Sequence, residues 1–307
     1  MEYVLRTFGV SKRYGSNWVL KNVNMNIQRG DIYGFVGENG SGKTTIIRLI
    51  TGLIYPNEGQ LELFGVSSNS SEIHTARKKL GAIVESPSIY KNMSARDNLE
   101  MQSEILGFRD DEKIKRVLSE VGLAELYDEK KKAGNFSLGM RQRLGIAMAL
   151  LGDPEFIILD EPMNGLDPAG IVEIRELILK LNRERRITFL ISSHILTELS
   201  LVANKYGIIS HGSLVKEITA EELERACRPT TMIDALEPQK LYDLLLTLLP
   251  AEDVSLLRNS VRIVGDIDLN DLLGKILSEG IEILSINCYK GSIESYYLSL
   301  LGGVHNA

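Results

Sequence analysis

Eight consecutive residues, Gly37-Glu38-Asn39-Gly40-Ser41-Gly42-Lys43-Thr44, join a glycine-rich stretch to a lysine and a hydroxyl. Glycines let a backbone curl until its N–H groups point inward at an anion, and a helix beginning there adds the positive end of its dipole. The chemistry is polyphosphate binding. Lys43 would reach the β- and γ-phosphates of a nucleotide such as ATP, Thr44 would offer its hydroxyl to Mg²⁺, and Thr45 would extend the cradle into the helix. A plain glycine-rich turn is the bland alternative, but the apolar run Ile32–Val36 before the loop and the helical pattern 45–51 after it supply the strand–loop–helix context that phosphate binding needs. A second constellation lies far downstream, where the apolar strand candidate Phe156–Asp160 runs into Glu161. Asp160 suits an Mg²⁺ shell. Glu161, one residue on, points elsewhere and suits a general base that polarises the attacking water.

Elements that hold such groups must end at one edge of a sheet. Up to about residue 217, short β-branched runs (Ile32–Val36, 80–85, Phe156–Asp160, 188–192) alternate with helical patterns, which predicts a parallel sheet covered on its faces. The first 30 residues alternate polar and apolar, as an antiparallel strand pair would, and residues 88–150 read as a helical insertion. Past the charged segment 219–226 and Arg228-Pro229, the order of strand and helix signals is β-α-β-β-α-β, the pattern of a small split βαβ sandwich. The expected division is therefore 1–220 and 221–307.

Phe136-Ser137-Leu138-Gly139-Met140-Arg141-Gln142-Arg143 narrows the class. It lies between the phosphate loop and Asp160, and it resembles the LSGGQxQR signature of ATP-binding-cassette (ABC) ATPases, with Leu138 in place of the first Gly and Met140 in place of the first Gln. The resemblance implies an α/β P-loop cassette with a parallel-sheet core, an antiparallel β subdomain and a helical subdomain, followed here by a small α+β domain. It also implies that Ser137 and Gly139 contact the γ-phosphate held by a second subunit, so one chain carries half of each ATP site. Tyr14 looks like the aromatic that stacks on adenine, with Trp18 a competitor and a lone surface tyrosine the bland alternative. Asp167 resembles the residue that crosses the dimer interface, and His194 the histidine that holds the γ-phosphate and the catalytic Glu161.

At the end of the run 80–84 most of the family carries Gln, whereas this chain has Glu85. A carboxylate accepts hydrogen bonds but cannot donate when ionised, and it favours a metal, so Glu85 is expected to face Mg²⁺ and to alter catalysis or coupling. Such a glutamate resembles the variant loop of bacitracin-export and lantibiotic-immunity ATPases, although neutral drift at a tolerant position would look the same. Residues 30–35, 191–196 and 292–297 resemble the same group. The resemblance implies an ATP-hydrolysing subunit of an exporter giving resistance to peptide antibiotics. Its partners would be a permease and a second ATPase subunit, and its place the cytoplasmic face of the membrane. The alternative is a soluble ABC ATPase acting on ribosomes or DNA.

Composition agrees with the leading reading. The 307 residues carry 35 basic and 41 acidic side chains, a formal charge of −6 that disfavours a nucleic-acid partner. No apolar run approaches the roughly 18 residues a membrane span needs, and the opening residues give no expectation of a leader. Cys227 and Cys288 lack CxxC spacing and read as free thiols.

Overall fold

The computed structural model describes residues 2–289 and 291–302, so Met1, Lys290 and residues 303–307 lie outside it. Two compact units make up the chain, Met1–Ala220 and Glu221–Ala307.

In the first unit the strands Ile32–Val36, Phe156–Asp160 and Thr188–Ser193 have every residue buried. Such strands must lie inside a sheet with both faces covered, which is the parallel arrangement. They occupy the middle of a six-stranded sheet, described here from one edge to the other. Ser213–Thr219 leads, followed by Lys205–Ser210, Ile32–Val36, Thr188–Ser193, Phe156–Asp160 and Leu80–Ile83. All neighbours pair parallel except the edge strand Ser213–Thr219, which returns as a hairpin. The register sets Val36 beside Ser193, Ser192 beside Asp160, and Leu159 beside Ile83. Four C-terminal strand ends thus lie side by side, about 4.8 Å from one to the next.

The antiparallel subdomain is larger than the alternation of the first 30 residues suggested. Tyr3–Tyr14 pairs with Asn17–Val23 and Asn26–Gln28, and also with Glu58–Leu63, which in turn pairs with Val66–Ser67. The strand Glu58–Leu63, sequence Glu-Gly-Gln-Leu-Glu-Leu, has no β-branched residue. Only burial of Leu61 and Leu63 in the common core makes it a strand. Helices Ala95–Ile105, Asp111–Glu120 and Leu138–Leu150 build the helical insertion. Ser94 and Asp97 form a capping box on the first of them, and Asp110 caps the second.

In the second unit the strands Thr230–Ala235, Val254–Leu256, Ser260–Val264 and Ile283–Tyr289 form one antiparallel sheet. Across it the order is second, third, first, fourth, which is the split βαβ pattern. Its core joins Ile233, Val261 and Ile263 of the sheet to Leu241 and Leu245 of Pro238–Leu248 and to Leu272 and Ile276 of Leu269–Ser278.

The large sheet tolerates no side chain at Gly207. A Cβ there would overlap the buried hydroxyl of Tyr33, which donates to Glu217 Oε1 at 2.9 Å. Gly207→Ala is expected to cost about 1–3 kcal/mol through that overlap and the displaced bond. The check is a lowered urea midpoint, and a midpoint equal to that of the parent would contradict the packing described.

Candidate active site

Each strand end contributes a different group. After Val36 the chain enters Gly37–Thr44, and the helix Lys43–Thr51 begins directly behind the loop, two residues earlier than the helical pattern suggested. At Gly37 a Cβ would stand 2.5 Å from both the Ile209 carbonyl oxygen and Ser41 Oγ, so only glycine lets the loop close against the neighbouring strand. The Ser41 hydroxyl is buried with no hydrogen-bond partner among the described residues. Lys43 is 6% exposed; its ammonium donates to the carbonyl oxygens of Gly37 at 2.7 Å and Glu38 at 3.2 Å. The same Nζ lies 3.3 Å from Glu161 Oε1.

Asp160 is the hub. Its Oδ2 accepts from the Thr44 hydroxyl at 3.0 Å and from the Glu85 backbone N–H at 3.4 Å, and its Oδ1 accepts from the Ser192 hydroxyl at 2.5 Å. Ser192 Oγ accepts in turn from the backbone N–H of Glu161 at 2.9 Å. This serine therefore holds the Asp160 carboxylate and the backbone from which Glu161 projects. It escaped the sequence reading because its role comes from pairing with a strand 32 residues away; the one local signal was its place in Ser192-Ser193-His194.

Glu161 leaves the strand with φ +50°, a left-handed conformation uncommon for a residue with a side chain. That turn sends its carboxylate away from Asp160 and toward His194, whose Nδ1 lies 2.8 Å from Glu161 Oε2. Lys43, Glu161 and His194 form one chain of contacts. Behind them a cavity of about 120 Å³ is lined by residues that include Asn164, Leu166, His194 and Glu198. Burial raises the Glu198 carboxyl above its ordinary range, an effect opposed by His194 and reinforced by Glu161. Glu198 does not stand out in the sequence, whereas Asn164 opens the segment Asn164-Gly165-Leu166-Asp167 that resembles the loop after the catalytic glutamate of ABC ATPases. In front, an open cavity of about 260 Å³ is lined by Asn39, Gly40, Gly42, Lys43, Thr44, Thr45, Glu161 and Asn164, with Val19 as its apolar wall.

Other expected residues lie apart from that cavity. Tyr14 is half exposed at the end of its strand with the Lys12 ammonium 5.5 Å from its ring centre, and Trp18 is partly covered by Arg13 at a similar distance; neither lines the cavity. Ser137 is exposed and caps Leu138–Leu150, accepting from the Met140 N–H at 3.1 Å. Gly139 follows in the first turn, against Leu166. Ser137 and Gly139 do not line the phosphate-loop cavity of their own chain. Asp167 caps Pro168–Arg185 through the Gly170 N–H at 3.0 Å. Glu85 has φ +63°, and its carboxylate pairs with the Arg48 guanidinium; only its backbone N–H reaches Asp160.

The arrangement can hold a triphosphate over the helix N-terminus and activate water beside it. Residues 20–164 match the ABC transporter family. Over 307 residues the chain is 41% identical to the bacitracin transport ATP-binding protein BcrA of Bacillus licheniformis, covering 99% of both proteins. It is also 41% identical to the lantibiotic transport ATP-binding protein SrtF of Streptococcus pyogenes over 214 residues, which is 70% of this chain and 90% of that one. Among solved structures, the dimeric post-hydrolysis state of the ATP-binding cassette MJ0796 with ADP and Pi superposes with a TM-score of 0.63 at 26% identity, covering 70% of this chain and 98% of the other.

Replacing Ser192 by Ala would take from Asp160 Oδ1 the hydroxyl it accepts from, at about 1–3 kcal/mol in the buried site, and would leave the Glu161 N–H only its 3.2 Å contact with the residue 192 carbonyl oxygen. The expected result for Ser192→Ala is a lower kcat with the fold retained, read from steady-state ATPase rates beside a melting curve. An unchanged rate would remove the orienting role.

Proposed function

The chain belongs to the ABC transporter family as an ATP-binding, ATP-hydrolysing subunit that works with a permease and a second ATPase subunit, and we propose that it drives export of peptide antibiotics of the bacitracin type. The observation that carries the substrate class is the extent of the likeness. Similarity to the bacitracin transport protein runs through both units, whereas similarity to the lantibiotic protein spans a length close to the first unit alone. The same likeness favours transport over action on ribosomes or DNA. No described helix is long and apolar enough to cross a membrane, so attachment to the inner face of the cell membrane would come through the permease.

ATP lies with its phosphates on the N–H groups of Gly37–Thr45, and Lys43 exchanges its carbonyl contacts for phosphate oxygens. Tyr14 stacks against the adenine as the strand end closes on it. Thr44 and Asp160 suit Mg²⁺, since their oxygens lie 3.0 Å apart as an oxygen-only pair, the Asp160 carboxylate buried and Thr44 half-buried. When bound there, the ion neutralises charge on the phosphates. Glu161 takes the proton of the attacking water, and His194 fixes the carboxylate in place. Ser137 and Gly139 of a second subunit supply the other half of the site at a helix N-terminus, and Asp167 lies at that junction. ATP binds best to the closed pair, so its binding and hydrolysis alternate closure and release.

Two outcomes test this. Glu161→Gln, which keeps size but loses the base, should hold ATP unhydrolysed and elute as a dimer in ATP and Mg²⁺; a monomer under those conditions would sink the shared-site arrangement. Expressed with its permease, the parent chain should raise the tolerated bacitracin concentration several-fold, and Lys43→Ala should abolish the gain. Equal tolerance with and without the chain would remove the substrate assignment.

A further inference from the structure

Glu85 occupies a peculiar position. Its backbone N–H points at Asp160 Oδ2 from 3.4 Å, while its carboxylate turns outward to the Arg48 guanidinium. Arg48 stands in the last turn of Lys43–Thr51, the helix that begins with the phosphate-binding Lys43 and Thr44. One helix therefore carries the nucleotide contacts at its start and an anchor for Glu85 near its end. The arginine is well held there, because a cation near a helix C-terminus also meets the negative end of the dipole. Glu85 is less committed: its side chain is 61% exposed and its φ is +63°, on the segment between Leu80–Ile83 and the helical insertion.

From this juxtaposition we propose that Arg48 is a positioning residue which holds the Glu85 carboxylate away from the Thr44–Asp160 cation site and releases it when nucleotide and cation arrive. The inference rests on the reading of Thr44 and Asp160 as the cation site and of Glu85 as a residue able to join them. An ionised acid beside Asp160 has two competing positive partners, the guanidinium and the incoming cation, and it can satisfy only one at a time. A glutamine at position 85 would face a far weaker competition, since a neutral amide forms only an ordinary hydrogen bond with Arg48. The pair is exposed and hence weak, which suits a contact that must break in each cycle. Its rupture would pass occupancy of the cation site to the segment leading into the helical insertion.

The experiment compares four variants with the parent in the full-length chain, with Mn²⁺ in place of Mg²⁺ and a non-hydrolysable ATP analogue, following bound Mn²⁺ by electron paramagnetic resonance. Arg48→Gln should tighten Mn²⁺ binding by about two- to fivefold, the scale of an exposed ion pair. Arg48→Lys, which keeps the charge, should stay near the parent. In a Glu85→Gln background, Arg48→Gln should change nothing. Tightening of equal size in both backgrounds would mean that the arginine acts through its long-range charge alone and would overturn the proposal. So would an Arg48→Gln affinity equal to the parent while Glu85→Gln by itself weakens binding; the reading of Glu85 as cation-facing would survive that result. If Glu85→Gln leaves Mn²⁺ affinity untouched, that reading fails and the proposal falls with it. Melting curves of the variants, expected within a few degrees of the parent because both side chains are at the surface, separate these outcomes from loss of fold.

Discussion

The parallel register of four neighbouring strands, three of them wholly buried, is the constraint on which the molecule depends. Val36 beside Ser193, Ser192 beside Asp160 and Leu159 beside Ile83 bring to one sheet edge groups that are far apart in the chain. A slip of one residue would turn every side chain to the opposite face and separate the Ser192 hydroxyl from Asp160. Residues 156–159 are apolar and buried on both faces, which secures the strand's place inside the sheet. The chemistry is thus a by-product of ladder geometry and burial, with Asp160 the single polar residue in its strand and Ser192 its bonded neighbour.

Within this frame the candidate site is already knit together. Lys43 bonds to its own loop and to Glu161, so its positive charge is buried and compensated. Glu161 is turned out of its strand by a left-handed backbone and met by His194. The signature residues Ser137 and Gly139 present a helix N-terminus away from the cavity of their own chain, which suits catalysis that begins only when two copies meet. Glu85 sits on the same edge yet faces outward, the one member of the set whose side chain has not joined the cluster.

Much of this was legible from residue order. Gly37–Thr44, the Asp160–Glu161 pair and His194 do meet at one sheet edge, since a strand followed by glycines and a helix leaves a backbone few choices. The β-α-β-β-α-β reading of the second unit was legible for a similar reason: its strands Thr230–Ala235 and Ser260–Val264 alternate in burial and its helices carry apolar stripes. Glu58–Leu63 was not, because nothing local favours a strand and its pairing with Tyr3–Tyr14 is long-range. Glu85 was expected at a metal, but its competing partner Arg48 lies 37 residues back on a helix read only for its N-terminus.

The reading of the Ser137 helix as meeting a second copy's ATP came from family resemblance, but residue order alone already pointed to kinds of chemistry: glycines and Lys43 suited to phosphate, carboxylates suited to a cation and to water. These follow from residue type and local spacing, which act over a turn or a strand. Tertiary structure alone decided which of those groups meet. Ser192 bridges Asp160 and Glu161, Asn164 lines the cavities on both sides of Glu161, and Arg48 claims the Glu85 carboxylate. The reason is that hydrogen bonds and ion pairs act over about 3 Å, and only the packing of strands and helices brings residues distant in the chain within that range.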